Sequence, residues 1–176
     1  MKRIIAIDPG GSGGVAWIGE HGAAACQKMP ATRGDVIDLL KMIINYEPGK
    51  CVCYHEAISG FIPSAGPSMM FEFGRSCERT ECIIEVLGVR MIRVTPQAWQ
   101  KALGLGGSNR VKMPKKCEAT PEEIKKAKSH NAEAKKDWKN KLKGEAQRRF
   151  PSADVTLDTA DALLILDYAL AKEGGK

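Results

Sequence analysis

The chain has 176 residues, 43% apolar and 27% charged, which suits one well-buried globular domain and leaves no room for two large ones. No apolar run approaches the ~20 residues of a membrane span, and Met1-Lys2-Arg3 leads straight into a strand-like run without a signal peptide's apolar stretch, so an intracellular location is expected. The formal charge of +6 is unevenly spread: residues 110–149 hold 14 Lys or Arg against 6 Asp or Glu, and the remainder holds 13 against 15.

Residues 3–8 read as a buried, Ile-rich strand ending at Asp8-Pro9. Gly10-Gly11-Ser12-Gly13-Gly14 is a tight connection to a second strand at Val15-Ala16-Trp17-Ile18, and residues 23–28 form a weak third strand. Connections this short make an antiparallel meander. From Asp35 to Tyr46 the apolar residues fall at helical spacing, and Pro48-Gly49 ends that helix. Residues 51–56 are a fourth strand closed by Glu56, followed by a polar loop at 59–67 and a long helix over about 68–87. Residues 90–94 are a fifth strand, after which Thr95-Pro96 opens a short helix carrying Trp99 and Leu103. The segment from Gly104 to Pro114 reads as a flexible basic loop. Thr120-Pro121-Glu122-Glu123 is a capping-box start for a long polar helix that stops at Phe150-Pro151, and a last helix is expected over about 157–171. The expected fold is α/β, a mixed sheet of three meander strands and two parallel strands flanked by helices, in a single domain over 1–176 with a basic loop and helix at about 107–149.

Four acids stand on the ends of these elements. A right-handed crossover through the helix at 35–46 returns the fourth strand parallel to the first, so Asp8 and Glu56 meet at the carboxyl edge where open α/β sheets bind ligands. Asp158 and Asp161, three apart, share a face of the last helix and close the cluster. Carboxylates brought together repel and raise one another's pKa, and hard divalent cations relieve this. Two such ions clamp the attacking and leaving oxygens of a phosphate, so the pattern points to metal-dependent phosphodiester hydrolysis. A nearly neutral body with one basic arm is the matching footprint for a phosphate backbone, with Arg110, Lys112, Lys115 and Lys116 as its first candidates.

Other motifs read more blandly. The glycine run lacks the Gly-Lys-Ser/Thr ending of a phosphate loop and leads into a strand. Cys51-x-Cys53-x-His55 offers three zinc ligands on one strand face but no fourth at compatible spacing. The six cysteines form no paired C-x-x-C blocks, which fits a reducing compartment. His21, His130 and Asp167 are not assigned to a site.

With those residues placed, the chain resembles the RuvC-type Holliday junction resolvases, in the phage-like branch of the ribonuclease H superfamily. The likeness rests on Ile5-Ala6-Ile7-Asp8-Pro9-Gly10, Glu56, Phe73-Gly74-Arg75, Val94-Thr95-Pro96 with Gly104-Leu105-Gly106, and Asp158-Thr159-Ala160-Asp161-Ala162-Leu163. It implies a ribonuclease H-like fold and a magnesium-dependent endonuclease, manganese substituting, with Asp8, Glu56, Asp158 and Asp161 as metal-binding catalytic acids. It further implies that Arg110 contacts substrate phosphate and that Phe61 stands near an aromatic that stacks on junction bases. A homodimer built partly on the helix at 68–87, cutting symmetric strands of a four-way junction, completes the implication. Two features depart from the family pattern: Glu78 replaces a small glycine, and the basic stretch at 111–140 is long. A ribonuclease of the same superfamily and a non-catalytic junction-binding protein are the competing readings.

Overall fold

Successive residues of strand β1 (Arg3–Asp8) belong to two different cores. Ile5 and Ile7 pack into one apolar cluster and Ile4 and Ala6 into another, as period-two alternation requires in a strand covered on both faces. The structure, a computed structural model, describes residues 2–19, 22–57, 66–114 and 119–174.

β1 is the middle of a five-stranded sheet of order β3-β2-β1-β4-β5. β2 (Gly14–Ile18) and β3 (Ala24–Lys28) complete an antiparallel meander, while β4 (Cys51–Glu56) and β5 (Arg90–Val94) run parallel to β1. This is the mixed sheet expected from the sequence, including the parallel seat of the fourth strand beside the first, with Ile7 opposite His55.

Two glycines shape the β1–β2 edge. A Cβ on Gly13 would lie 2.0 Å from the Asp8 carbonyl oxygen, so the turn that folds back on Asp8 admits no side chain there. A Cβ on Gly14 would lie 2.9 Å from the Asp158 carbonyl oxygen and 3.2 Å from the Thr159 Cα. Its absence lets the approach to the last helix rest on β2.

Helices α1 (Arg33–Ile44) and α2 (Pro67–Val86) cover one face, burying Val36, Leu40, Ile83 and Ile84 against Ile5, Ile7 and Cys53. Thr32 caps α1 by accepting from the Asp35 amide at 3.2 Å. The other face is covered by α5 (Ala160–Gly174), whose segment Ala162–Leu166 is fully buried because it has neighbours on both sides. The sheet lies beneath it, and α3 (Pro96–Ala102) and α4 (Pro121–Arg149) pack around it. α4 opens with the expected capping box, Thr120 with Glu123, and is largely exposed; Ala134, Leu142 and Ala146 are its buried contacts. Among the described residues no helix is long and apolar enough to cross a membrane.

Three expectations are corrected. The last helix runs Ala160–Gly174, three residues later than expected; the turn that leads into it is held by Thr156 and Thr159, which exchange amide-to-hydroxyl hydrogen bonds of 2.9 and 3.2 Å, and by the Ala160 amide donating to the Thr156 carbonyl at 3.2 Å. The loop at 104–114 is pinned: the Asn131 carboxamide accepts from the Val111 amide at 2.8 Å and donates to its carbonyl at 3.0 Å, while Lys141 Nζ donates to the Leu105 carbonyl at 2.7 Å. The apolar surplus on α2 is smaller than its sequence suggests. Ile84 is wholly buried in the chain's own core, Leu87 packs against that core, and Met69, Phe71 and Val86 remain exposed.

Candidate active site

Strand parity brings the first two acids together. The even positions of β1 and β4, among them Ile4, Ala6, Val52 and Tyr54, face α5, so Asp8 and Glu56 end their strands side by side on that face. They are 8% and 9% exposed, low for carboxylates at an edge. The first turn of α5 delivers Asp161 to the same place, where it acts electrostatically on both.

Burial is the largest reason the Asp8 carboxyl is held well above the ordinary carboxylate range, and the charges of Glu56 and Asp161 add to it. Burial also pushes Glu56 up to about 7. Trp99 opposes that rise, since its Nε1–H donates to Glu56 Oε1 at 2.8 Å, and Asp161 adds to it. Acids crowded in this way hold protons more readily when no cation is at hand.

Among the described residues, one basic side chain enters the cluster. Lys139, from the middle of α4, places Nζ 2.7 Å from Asp161 Oδ2. Burial disfavours its charge, but Asp161, then Asp8 and Glu56, outweigh that and raise its pKa. The other Asp161 oxygen, Oδ1, is buried with no hydrogen-bond partner among the described residues. Orphaned buried oxygens of this kind are rare and costly. An all-oxygen donor set with a spare carboxylate atom fits a hard divalent cation in kind. Among the described residues no three Asp, Glu, His or Cys side chains close round one point, and Lys139 supplies the positive charge instead.

Of the four acids read from the sequence, three are therefore brought together. Asp158 lies in the Thr156–Thr159 turn, not on α5, and pairs with Lys28 at the end of β3 at 2.9 Å. Arg110 and Lys112 are exposed on the pinned loop. Phe61, Lys115 and Lys116 lie outside the described residues.

Two neighbours of the cluster escape a sequence reading. Lys139 is one of many lysines in the basic segment, and only its one-residue offset from the buried Trp138–Leu142 stripe hints that it turns inward. Trp99 reads as an apolar anchor, although a buried indole N–H usually requires an acceptor. On the opposite face of β4, Cys51, Cys53 and His55 face α2. There His55 Nε2 lies 2.7 Å from Thr80 Oγ1 and Nδ1 lies 3.0 Å from the Glu56 carbonyl, so both ring nitrogens are engaged.

No protein-family model matches the chain, and no curated protein matches it in sequence. Solved structures do. Thermus thermophilus RuvC in complex with a Holliday junction substrate aligns over 99% of this chain and 97% of its own, at 14% identity and a TM-score of 0.54. A second structure of Thermus thermophilus RuvC aligns over 98% and 96%, at 16% identity and a TM-score of 0.52. At these identities the likeness is one of architecture: the chain has the ribonuclease H-like fold of the RuvC Holliday junction resolvases.

Proposed function

We propose that the chain is a divalent-metal-dependent endonuclease that cuts branched DNA, four-way junctions foremost. The observation that carries this reading is the grouping of the buried Asp8 and Glu56 carboxyls with the partly buried Asp161 at the carboxyl edge of the sheet, one Asp161 oxygen lacking a partner among the described residues. The RuvC-like fold and the basic α4 beside the cluster support it.

Asp8, Glu56 and Asp161 would hold magnesium, or manganese in its place, with Asp158 following if its link to Lys28 opens. A bound divalent ion supplies a water of lowered pKa and charge stabilisation at the leaving oxygen. The chain's own residues do the rest. Trp99 fixes one Glu56 oxygen and so sets which way the carboxylate turns. Lys139 keeps a positive charge at the cluster and is placed to meet an incoming phosphate. Arg110 and Lys112, on a loop fastened to α4, track the DNA backbone, and Phe61, Lys115 and Lys116 are proposed to extend that surface. A homodimer through the exposed Met69, Phe71 and Val86 of α2 would present two sites to a two-fold substrate.

Incubation with a four-way junction, a fork, a flap and an RNA–DNA hybrid, each with and without Mg²⁺, tests the reading. Paired Mg²⁺-dependent cuts in the junction are expected. Cutting confined to the hybrid would move the function to a ribonuclease, and junction binding without any cut would make it a binding protein.

A further inference from the structure

Across the β1–β2 turn from the acids, the N-terminal halves of α1 and α2 leave an open cleft of about 750 Å³. Its floor includes Gly10 and Gly11, so it opens on the same sheet edge as Asp8 but toward the opposite face. Arg33, Arg75 and Arg79 line it against a single carboxylate, Glu72. Arg75 spends its charge on Glu72 at 3.0 Å. Arg33 and Arg79 have no ion-pair partner among the described residues, so the cleft keeps a surplus of two positive charges.

Two further atoms point into the same argument. Arg79 Nε and Ser76 Oγ are buried and have no hydrogen-bond partner among the described residues. A buried donor left unpaired costs about 1–3 kcal/mol. Two of them a helical turn apart, on the flank of α2 that lines one cationic cleft, are better explained by an absent acceptor than by packing. Guanidinium and hydroxyl donors without a free acid select an anion, and guanidinium suits phosphate in particular.

We propose that this cleft seats a backbone phosphate of the bound strand flanking the one that is cut, held by Arg33, Arg79 and Ser76. The identity of the anion rests on the nuclease reading; the existence of an anion site does not. It would give the substrate a second hold on the α1–α2 face, apart from the basic α4.

The test uses the full chain carrying Arg33→Ala, Arg79→Met, both together, and Arg79→Lys as a charge-keeping control, each checked by thermal melting. Affinity for a four-way junction is measured by fluorescence anisotropy across a salt series without divalent ions. The double variant should lower the slope of log K against log salt by about one to two, since each phosphate contact on duplex DNA contributes about 0.9. It should also bind at least about tenfold more weakly. A single methylphosphonate placed next to the cut should weaken the wild type and leave the double variant unaffected. An unchanged slope in a folded double variant, or methylphosphonates that weaken both proteins alike at every position, would overturn the proposal. Cutting by the wild type on the same DNA is scored separately: its absence alongside a lowered slope would sink the nuclease reading and leave the anion site standing.

Discussion

On the α2 side of β4, His55 is buried completely, yet Thr80 and the Glu56 carbonyl meet both its ring nitrogens and Glu81 stands 3.6 Å away, itself paired to Arg93. One residue further along, on the α5 side, Glu56 is nearly as buried but faces two more acids, one indole donor and one lysine. The same strand end therefore buries titratable groups in two ways. Round His55 itself polar groups and partners balance, and such a network gives rigidity. On the Glu56 face three carboxyls meet few donors among the described residues, burial and neighbouring charge raise the Asp8 and Glu56 carboxyls, and one Asp161 oxygen has no partner there. Imbalance of that kind is tolerated where something else is to bind. The two groups should thus answer substitution differently: His55 and its partners in stability, the acids on the α5 side in activity.

The sharpest break is Asp8→Asn. It removes a carboxylate from the metal set while keeping its size and Asp8's place at the strand end. Cleavage of a four-way junction should fall below roughly a thousandth of wild type, about 4 kcal/mol at 1.36 kcal/mol per decade. Junction binding without metal should stay within a few-fold, and the metal-free protein should melt higher, since one repelling acid is gone. Single-turnover cleavage, anisotropy and thermal melting check the three parts. Activity within a few-fold of wild type removes Asp8 from the site.

Trp99→Phe is the next step down. The ring keeps its place in the core on the α5 side, but the hydrogen bond to Glu56 is lost. Groups that orient a metal ligand typically contribute about 10–100-fold in affinity or activity. Mg²⁺ affinity by calorimetry should fall within that range while denaturant stability changes little. Unchanged Mg²⁺ affinity would leave Trp99 as a core residue only.

What could be read from the sequence divides along similar lines. The sheet order and the meeting of Asp8 with Glu56 were legible because strand parity and a short crossover are local properties. Asp161 was legible for the same reason, standing at the head of an apolar helix. The separation of Asp158 from Asp161 was not, because Asp158 pairs with Lys28 at the far end of β3, a contact between distant residues that spacing does not reveal. Lys139 was hidden among lysines; the angle at which α4 lies on α5 singles it out. That Ile84 and Leu87 belong to the chain's own core became clear only once α1 and β1 were packed against them. The pinned loop depended on Asn131, whose carboxamide imitates a strand partner and carries no sequence signature.

Thr80→Val probes the balanced face. It removes the hydroxyl that meets His55 Nε2 at 2.7 Å and leaves a buried ring nitrogen without a partner. The cost should be about 1–3 kcal/mol of folding stability. Cleavage per folded molecule should remain at the wild-type level. Chemical denaturation beside a cleavage assay separates the two, and an activity loss larger than the stability loss would tie His55 to the site.

The smallest expected effect is one of pH, and it belongs to the unbalanced face alone. Burial raises the Asp8 carboxyl and holds Glu56 at about 7, whereas an unfolded glutamate titrates near about 4.3. Between those values the folded chain binds more protons than the unfolded one, so metal-free stability is fully present below about 4.3 and is lost as pH rises through about 7. The titration belongs to the coupled pair, so it should be broad. Melting temperature without divalent ions should drop by several degrees from pH 5 to pH 8, each kcal/mol being about 2–4 °C for a chain of this size. Magnesium should flatten the decline, because a bound cation takes the place of the bound protons. Lys139→Met should steepen it in the metal-free protein, since the one positive charge at the cluster is then gone. A pH profile identical with and without Mg²⁺ would mean that the acids answer to Lys139 and to one another, and that the cluster is not a metal site.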